Sequence, residues 1–333
     1  MRRFSLSHLA CLGLMGGSLA LAACDKDSPN VPVLPAAVTF TQAGLYPEGT
    51  QYDDQQAHFL VSSQTAGRIG QVTDDGTYAS FADDPLLIST IGLHLDAARN
   101  RLLVAVSDPG YNAARTTAAT KGKLAALASF DRGTGTKTGY VDLGGLRPAY
   151  AAHFANDIAV DAQGNAYVTD SYAPIIYKVD AQGVATVFLE NIALAAPAGK
   201  FGLNGIVYHP NGYLLVAKSD EGALLKVPLA NPASFSKVTL TGVDLTNDDG
   251  LQLIDNTTLL ASCNSQGKVY RVVTTDDFAS VSALGSFATG AVYPTTLARR
   301  AGVTSYVLAS HLDALQAMQT PPVSQFALIK VSF

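Results

Sequence analysis

Six times along the chain a short apolar or alternating run is followed by a turn and a second apolar run. The segments are "PEGTQYDDQQAHFLVSS" from Pro47, "IGLHLDAARNRLLVAVSD" from Ile91 and "NDIAVDAQGNAYVTDS" from Asn156. They continue with "NGIVYHPNGYLLVAKSD" from Asn204, "DGLQLIDNTTLLASCNSQG" from Asp249 and "TTLARRAGVTSYVLASH" from Thr295. Alternation over four to eight residues, bounded by turn formers, predicts paired strands. The recurrence has a period of roughly 40–50 residues, with one longer step between Ile91 and Asn156, and such a period with several strands per unit predicts a β-propeller. Third and fourth strands follow in most units, as "IIYKVD" and "ATVFLE" after the third pair and "ALLKVPL" and "SKVTLTG" after the fourth. The last unit is one strand short, whereas "AVTFTQ" from Ala37 has no partner of its own. The expected fold is therefore all-β: a six-bladed propeller of four-stranded antiparallel blades over 37–333, its ring closed by the N-terminal strand pairing with the C-terminal blade. Closure removes the unpaired edges that an open stack would leave.

The longer step holds an insertion, "SDPGYNAARTTAATKGKLA" from Ser107 to Ala125, after the second strand of blade two. That connection lies on the face where the inner strands begin. Long loops in compact domains tend to be functional, so it is a candidate cover over a central site.

The inner strands begin with a carboxylate or amide side chain at four of six aligned positions, Glu48, Asn156, Asn204 and Asp249, beside Ile91 and Thr295. One Asn or Asp next to a glycine is ordinary turn chemistry; four at one repeat position are not. Two carboxylates and two amides suit a hard cation such as calcium, which takes oxygen ligands, with other divalent cations left open. The set lacks the His and Cys that zinc favours. Asp249, beside the expected metal, is the first candidate for a catalytic base. Asp170, Lys218 and His311 each end a second strand running back to the same face. Asp170 and His311 are further catalytic candidates, and Lys218 and His153 candidate substrate contacts. His58, His94 and His209 lie away from this face and receive no role.

Composition adds limits. The 333 residues are 48% hydrophobic and 15% charged, enough for a substantial core, and a net charge of −5 with 22 Lys and Arg argues against a nucleic-acid partner. Arg2 and Arg3 precede an apolar stretch from Leu9 to Leu21 that is short for a spanning helix. The following Leu21-Ala22-Ala23-Cys24 resembles the bacterial lipobox. It implies a signal peptide over 1–23, lipidation of Cys24, a polar, Pro-rich tether over 24–36 and anchoring in the bacterial cell envelope, periplasmic or surface-facing; the chain is expected to be a monomer. Cys11 leaves with the signal peptide, so Cys263 is the one remaining cysteine without a lipid, which leaves no intramolecular disulfide and favours a small buried hydrophobe.

"YPEG" with Glu48, "NDIAVD" with Asn156, "LNGIVYHPNG" with Asn204 and "DDGLQL" with Asp249 together resemble, in order and spacing, the four calcium-ligand motifs of one family. It is the gluconolactonase, senescence-marker-protein and luciferin-regenerating-enzyme family, related to the paraoxonases and diisopropyl fluorophosphatase. The resemblance implies a calcium-dependent hydrolase of a lactone or related ester. The metal would polarise the carbonyl and a carboxylate would activate water. It also implies a second, structural metal at Asp157, as in the paraoxonase-like branch. The chain departs from the family at Thr50, Gln51 and Tyr52, where Pro and then Trp are usual, and blade two has no clear match for the sugar-contacting Arg and Asn. The alternative function is a non-catalytic envelope lipoprotein that binds a ligand or protein partner through the same central site.

Overall fold

Each expected strand pair opens a sheet, and in blades one to four the strands are antiparallel and follow in chain order from the axis outward. The computed structural model describes residues 34–300 and 302–333; the leader over 1–23, Cys24 and the tether up to residue 33 lie outside the described residues. Six sheets are present, their inner strands being Thr50–Asp53, Ser89–Asp96, Ala155–Val160, Leu203–His209, Asp248–Asp255 and Pro294–Arg300. Each inner strand contacts those of the two neighbouring blades, and the first touches the sixth, so the six form a closed ring. The strand Ala37–Thr41 is the outermost of blade six. It pairs antiparallel with Gln325–Lys330, Val38 opposite Leu328 and Phe40 opposite Phe326. The ring therefore closes as the sequence predicts.

One expected strand is divided. Ser236–Lys237 pairs with the third strand of blade four, but Thr239–Thr241 pairs in parallel with Ser280–Ala288, the outer strand of blade five. Val238 is the pivot: it is buried and its N–H donates to the Leu224 carbonyl at 2.8 Å. The switch covers the edge of blade five with a fifth strand.

Between blades the packing is apolar and aromatic. Phe59 of blade one meets Tyr306 of blade six edge-on at 5.2 Å between ring centres; within blade one it meets Tyr52 at 4.7 Å, and within blade six Phe40 packs on Phe326 at 5.9 Å. Cys263 is free and buried in the core of blade five.

Near the axis the blades are too close for side chains. The repeat position after the polar residue reads Gly49, Gly92, Asp157, Gly205, Gly250 and Thr296. A Cβ on Gly49, Gly92 or Gly205 would sit well inside contact distance of the next blade's backbone, at the carbonyls of Ile91, Asn156 and Asp249 respectively. The two exceptions turn the side chain into a blade-to-blade bond. Asp157 Oδ2 accepts from Ile206 N at 3.1 Å, and Thr296 Oγ1 accepts from Thr50 N at 2.9 Å. Gly205→Ala is expected to cost about 1–3 kcal/mol, because rigid backbone rather than a side-chain tip must move. Gly133→Ala, whose Cβ would meet only the Asp131 carboxylate at 3.6 Å, serves as the control. Urea midpoints of the two variants check this; equal midpoints would refute it.

Candidate metal centre and active site

The polar starts of the inner strands are β-bulges. The pairing register shifts between Thr90 and Leu93, Ala155 and Ile158, Leu203 and Ile206, Asp248 and Gly250, and Pro294 and Leu297. A bulge breaks the alternation of side chains and re-aims one of them. In blade one the equivalent turn is pinned otherwise: the N–H groups of Glu48 and Gly49 both donate to Ser62 Oγ, at 3.0 and 2.8 Å.

Hydroxyls at the ends of second strands hold these bulges in place. Ser107 Oγ donates to the Ala155 carbonyl at 2.9 Å, Ser171 Oγ to that of Leu203 at 2.6 Å, and Ser219 Oγ to that of Asp248. Each acceptor is the residue immediately before Asn156, Asn204 or Asp249, and each bond crosses to the next blade. The repeated serine is visible in the sequence, but a hydroxyl's partner is not.

The result is a cavity of about 390 Å³ on the face where the inner strands begin. Its floor holds Glu48, Asn156, Asn204 and Asp249, all buried. Three acceptor oxygens there have no hydrogen-bond partner: Glu48 Oε2, Asn156 Oδ1 and Asn204 Oδ1. Asn156 is oriented by its other amide atom, Nδ2, which donates to Ser171 Oγ at 2.9 Å. Asn264 Nδ2 donates to Asp249 Oδ2 at 3.2 Å. Burial first, then the charges of Asp249 and Asp157, holds Glu48 well above the usual carboxylate range; burial does the same for Asp249. Neither forms an ion pair among the described residues. Buried acceptors left without donors carry a penalty of about 1–3 kcal/mol each, and a cation would relieve all of them together. Among the described residues no group of three or more His, Cys, Asp and Glu is placed to hold a metal ion. This donor set is two carboxylates and two amides, the oxygen chemistry that calcium takes.

Asp157 faces the other way. It lines a separate cavity of about 270 Å³ on the opposite side of the axis, with His94, Gln252 and Arg299. Burial raises it to about 7 against two backbone bonds that lower it. Glycine occupies the matching position in four other blades, so no second carboxylate accompanies it at that level.

Four expected rim residues do not line the central cavity, and for the two that close second strands the reason is alternation. Ser171 and Ser219 face the axis, so their neighbours Asp170 and Lys218 face away. Asp170 is fully buried. It accepts from the N–H groups of Phe154, Tyr172 and Ala173, from Tyr177 OH at 3.0 Å and from His153 Nδ1 at 2.7 Å. His153 is thereby committed as well. Lys218 Nζ donates to both Asp220 oxygens, at 2.7 and 2.9 Å, and to the Ala195 carbonyl. His311 precedes the short helix Leu312–Gln316 with φ 54°, and its ring lies 6.3 Å from that of Phe326. What lines the wall instead is Asp220, Tyr111, Tyr172, Tyr293, Asn247 and Asn264.

The insertion contributes Pro109 and Tyr111 to that wall. It is fastened: Asp108 accepts from Gly110 N, Thr116 Oγ1 and Thr120 Oγ1, and Asn112 Nδ2 donates to the Ile88 carbonyl.

The Asp170–His153 pair gives a pH signature. Burial alone would lower His153, but its bond to Asp170 and that carboxylate's charge outweigh it, so its folded value is raised. A raised group stabilises the fold fully below its unfolded value, about 6.5, and the contribution is lost as pH rises through the folded value. Urea stability is expected to decline above pH of about 6.5 in the parent, and His153→Gln to make that decline shallower, the raised carboxyls of Asp157 and Glu48 supplying the rest. An unchanged slope in the variant would refute the assignment.

No family model matches the sequence, and no curated protein matches it. Solved structures share the fold. The major allergen Mala s 1 of Malassezia sympodialis is 18% identical, covers 90% of this chain and 97% of its own, and superimposes with a TM-score of 0.71. Regucalcin of Agrobacterium tumefaciens, a calcium-binding protein, is 18% identical over 87% of this chain and 92% of its own, with a TM-score of 0.59. Luciferin-regenerating enzyme is 12% identical over 89% and 96%, with a TM-score of 0.59. The last two belong to the family whose motifs the sequence resembles. At these identities the likeness establishes the fold.

Proposed function

We propose that this chain is a calcium-dependent hydrolase of a lactone or related ester. The observation that carries the reading is the convergence of three unpartnered buried acceptors and Asp249 at the floor of one open cavity. Glu48, Asn156, Asn204 and Asp249 would hold the cation, and the calcium-binding regucalcin shares the fold. When bound, the cation supplies Lewis-acid polarisation of the substrate carbonyl.

The chain's own residues do the rest. Asp249 accepts a proton from water as the water oxygen adds to the carbonyl carbon. The ring C–O bond then breaks, the departing alkoxide oxygen takes up that proton, and a hydroxy acid is released. Asn264 keeps the Asp249 carboxylate oriented, since its Nδ2 donates to Oδ2. Lys218 acts at one remove, by fixing Asp220 in the wall. Tyr111, Tyr172 and Tyr293 narrow the mouth and limit water around the substrate.

The alternative, a propeller that binds a ligand without turning it over, draws on one observation. Of the three catalytic candidates, Asp170 and His311 lie outside the cavity wall, which leaves Asp249. A panel of lactones and aryl esters, assayed with calcium and with chelator, decides between the two. Turnover abolished by chelator and restored by calcium is expected; no turnover on any member would sink the hydrolase reading. Lipidation of Cys24 and residence in the cell envelope are part of the proposal, and mass spectrometry of the N-terminal peptide tests them.

A further inference from the structure

Beside the central cavity lies a second one of about 360 Å³, between the segments 150–152 and 196–200. The two share Tyr172, Gly199 and Lys200, so they adjoin along these residues. The groove is apolar along most of its length, through Ala151, Ala152, Ala196, Pro197 and Ala198. At the junction three rings support one another: Phe154–Tyr172 and Phe154–Phe201 at 5.2 Å and Tyr172–Phe201 at 5.3 Å. Phe154, Tyr172 and Phe201 all line the central cavity, and Phe201 is 36% exposed.

A polyhydroxylated substrate would find little here. The Tyr150 hydroxyl already donates to Glu190 Oε1 at 3.0 Å, and Lys200 N is bonded to the Pro197 carbonyl. An apolar chain, by contrast, would leave water along both walls. A charged arm would enter an apolar groove with no charged side chain in its lining beyond Lys200.

We infer that the substrate is an uncharged lactone or ester bearing an apolar acyl or alkyl arm, its carbonyl at the Glu48–Asp249 floor and its arm passing over Tyr172 into this groove. The inference rests on the hydrolase reading for the carbonyl end only; the groove binds the arm whether or not turnover follows.

The test uses two series with identical unbranched alkyl arms of increasing length: γ-lactones for turnover and the matching γ-lactams, which resist hydrolysis, for calorimetric binding to the calcium-loaded protein. Affinity for the lactams is expected to rise by about fourfold for each methylene that leaves water, over the first several carbons. In Ala198→Glu that dependence on length should flatten by at least tenfold across the series, with thermal unfolding confirming that the variant is folded. Tyr172→Ser gives a second, independent flattening. Lactams that bind with no dependence on arm length, or do not bind at all, would overturn the inference. Length-dependent lactam binding without lactone turnover would keep it and remove the hydrolase reading instead. Turnover without length dependence would do the reverse.

Discussion

Asp249→Asn is expected to reduce lactone hydrolysis by roughly 10²–10⁴-fold while the protein still binds calcium. The amide keeps one acceptor oxygen at the floor of the cavity but cannot take a proton, and positioned general bases are worth about that factor. Calcium retention is read separately, as the rise in unfolding temperature on adding the metal. A ligand at a hundred times its Kd adds about 2.7 kcal/mol to stability. Glu48→Gln should shrink that rise, because site charge sets calcium affinity. Neither substitution should weaken the metal-free fold, since each removes a buried carboxyl of the mutually repelling set Glu48, Asp249 and Asp157, and neither Glu48 nor Asp249 has an ion-pair partner among the described residues. Full hydrolysis by Asp249→Asn with calcium bound would eliminate its role as base. An undiminished calcium effect in Glu48→Gln would remove the proposed cation site.

The largest expected loss of stability lies far from that floor. Asp53, on the inner strand of blade one, is fully buried. Arg132, in the turn after the third strand of blade two, grips it with both arms of the guanidinium, Nε at 2.6 Å from Oδ2 and Nη2 against Oδ1. Asp53 also accepts from Gln55 N and Gln56 N at 2.9 and 3.0 Å. Arg132→Leu leaves that carboxylate buried and uncompensated, at a cost of about 3–5 kcal/mol. Replacing both partners by leucine should recover most of the loss, because no charge is then stranded. The pair also has an acid signature. Burial would raise Asp53, but the Arg132 and backbone bonds outweigh it and its folded value is lowered. Its stabilisation is therefore complete above its unfolded value, about 3.9, and is lost as pH falls through the folded value. Parent and double variant should converge in urea stability as pH drops below that window. A single variant as stable as the parent at neutral pH would refute the account.

Much of the molecule was legible before the structure. The six strand pairs, the closing strand and the four polar starts at Glu48, Asn156, Asn204 and Asp249 are periodic features, and a repeat makes each local reading check the others. The errors fall where a side chain's aim depends on one step of register. Asp170 and Lys218 close second strands that do return to the cavity face, yet alternation puts Ser171 and Ser219, not them, toward the axis. The division of "SKVTLTG" between two blades turns on Val238, and nothing in its own alternation distinguishes pairing with blade four from pairing with blade five. Tyr111 arrives on the insertion expected near the site, but Asp220 and Tyr293 reached the cavity wall unannounced, since each sits in a loop whose path is set by what it is fastened to.

The sequence by itself determined the architecture and the chemical character of the centre. Apolar alternation dictates strands, their recurrence dictates a ring, and oxygen-bearing residues at one repeat position dictate a polar axis. Only the tertiary structure decided which oxygens are left without donors, which carboxylates are committed to internal bonds and which loops make the wall. Those properties belong to pairs of groups far apart in the chain, where a bulge, a serine hydroxyl from the neighbouring blade or a missing Cβ shifts an atom by the few ångströms that separate a bonded acceptor from an open one.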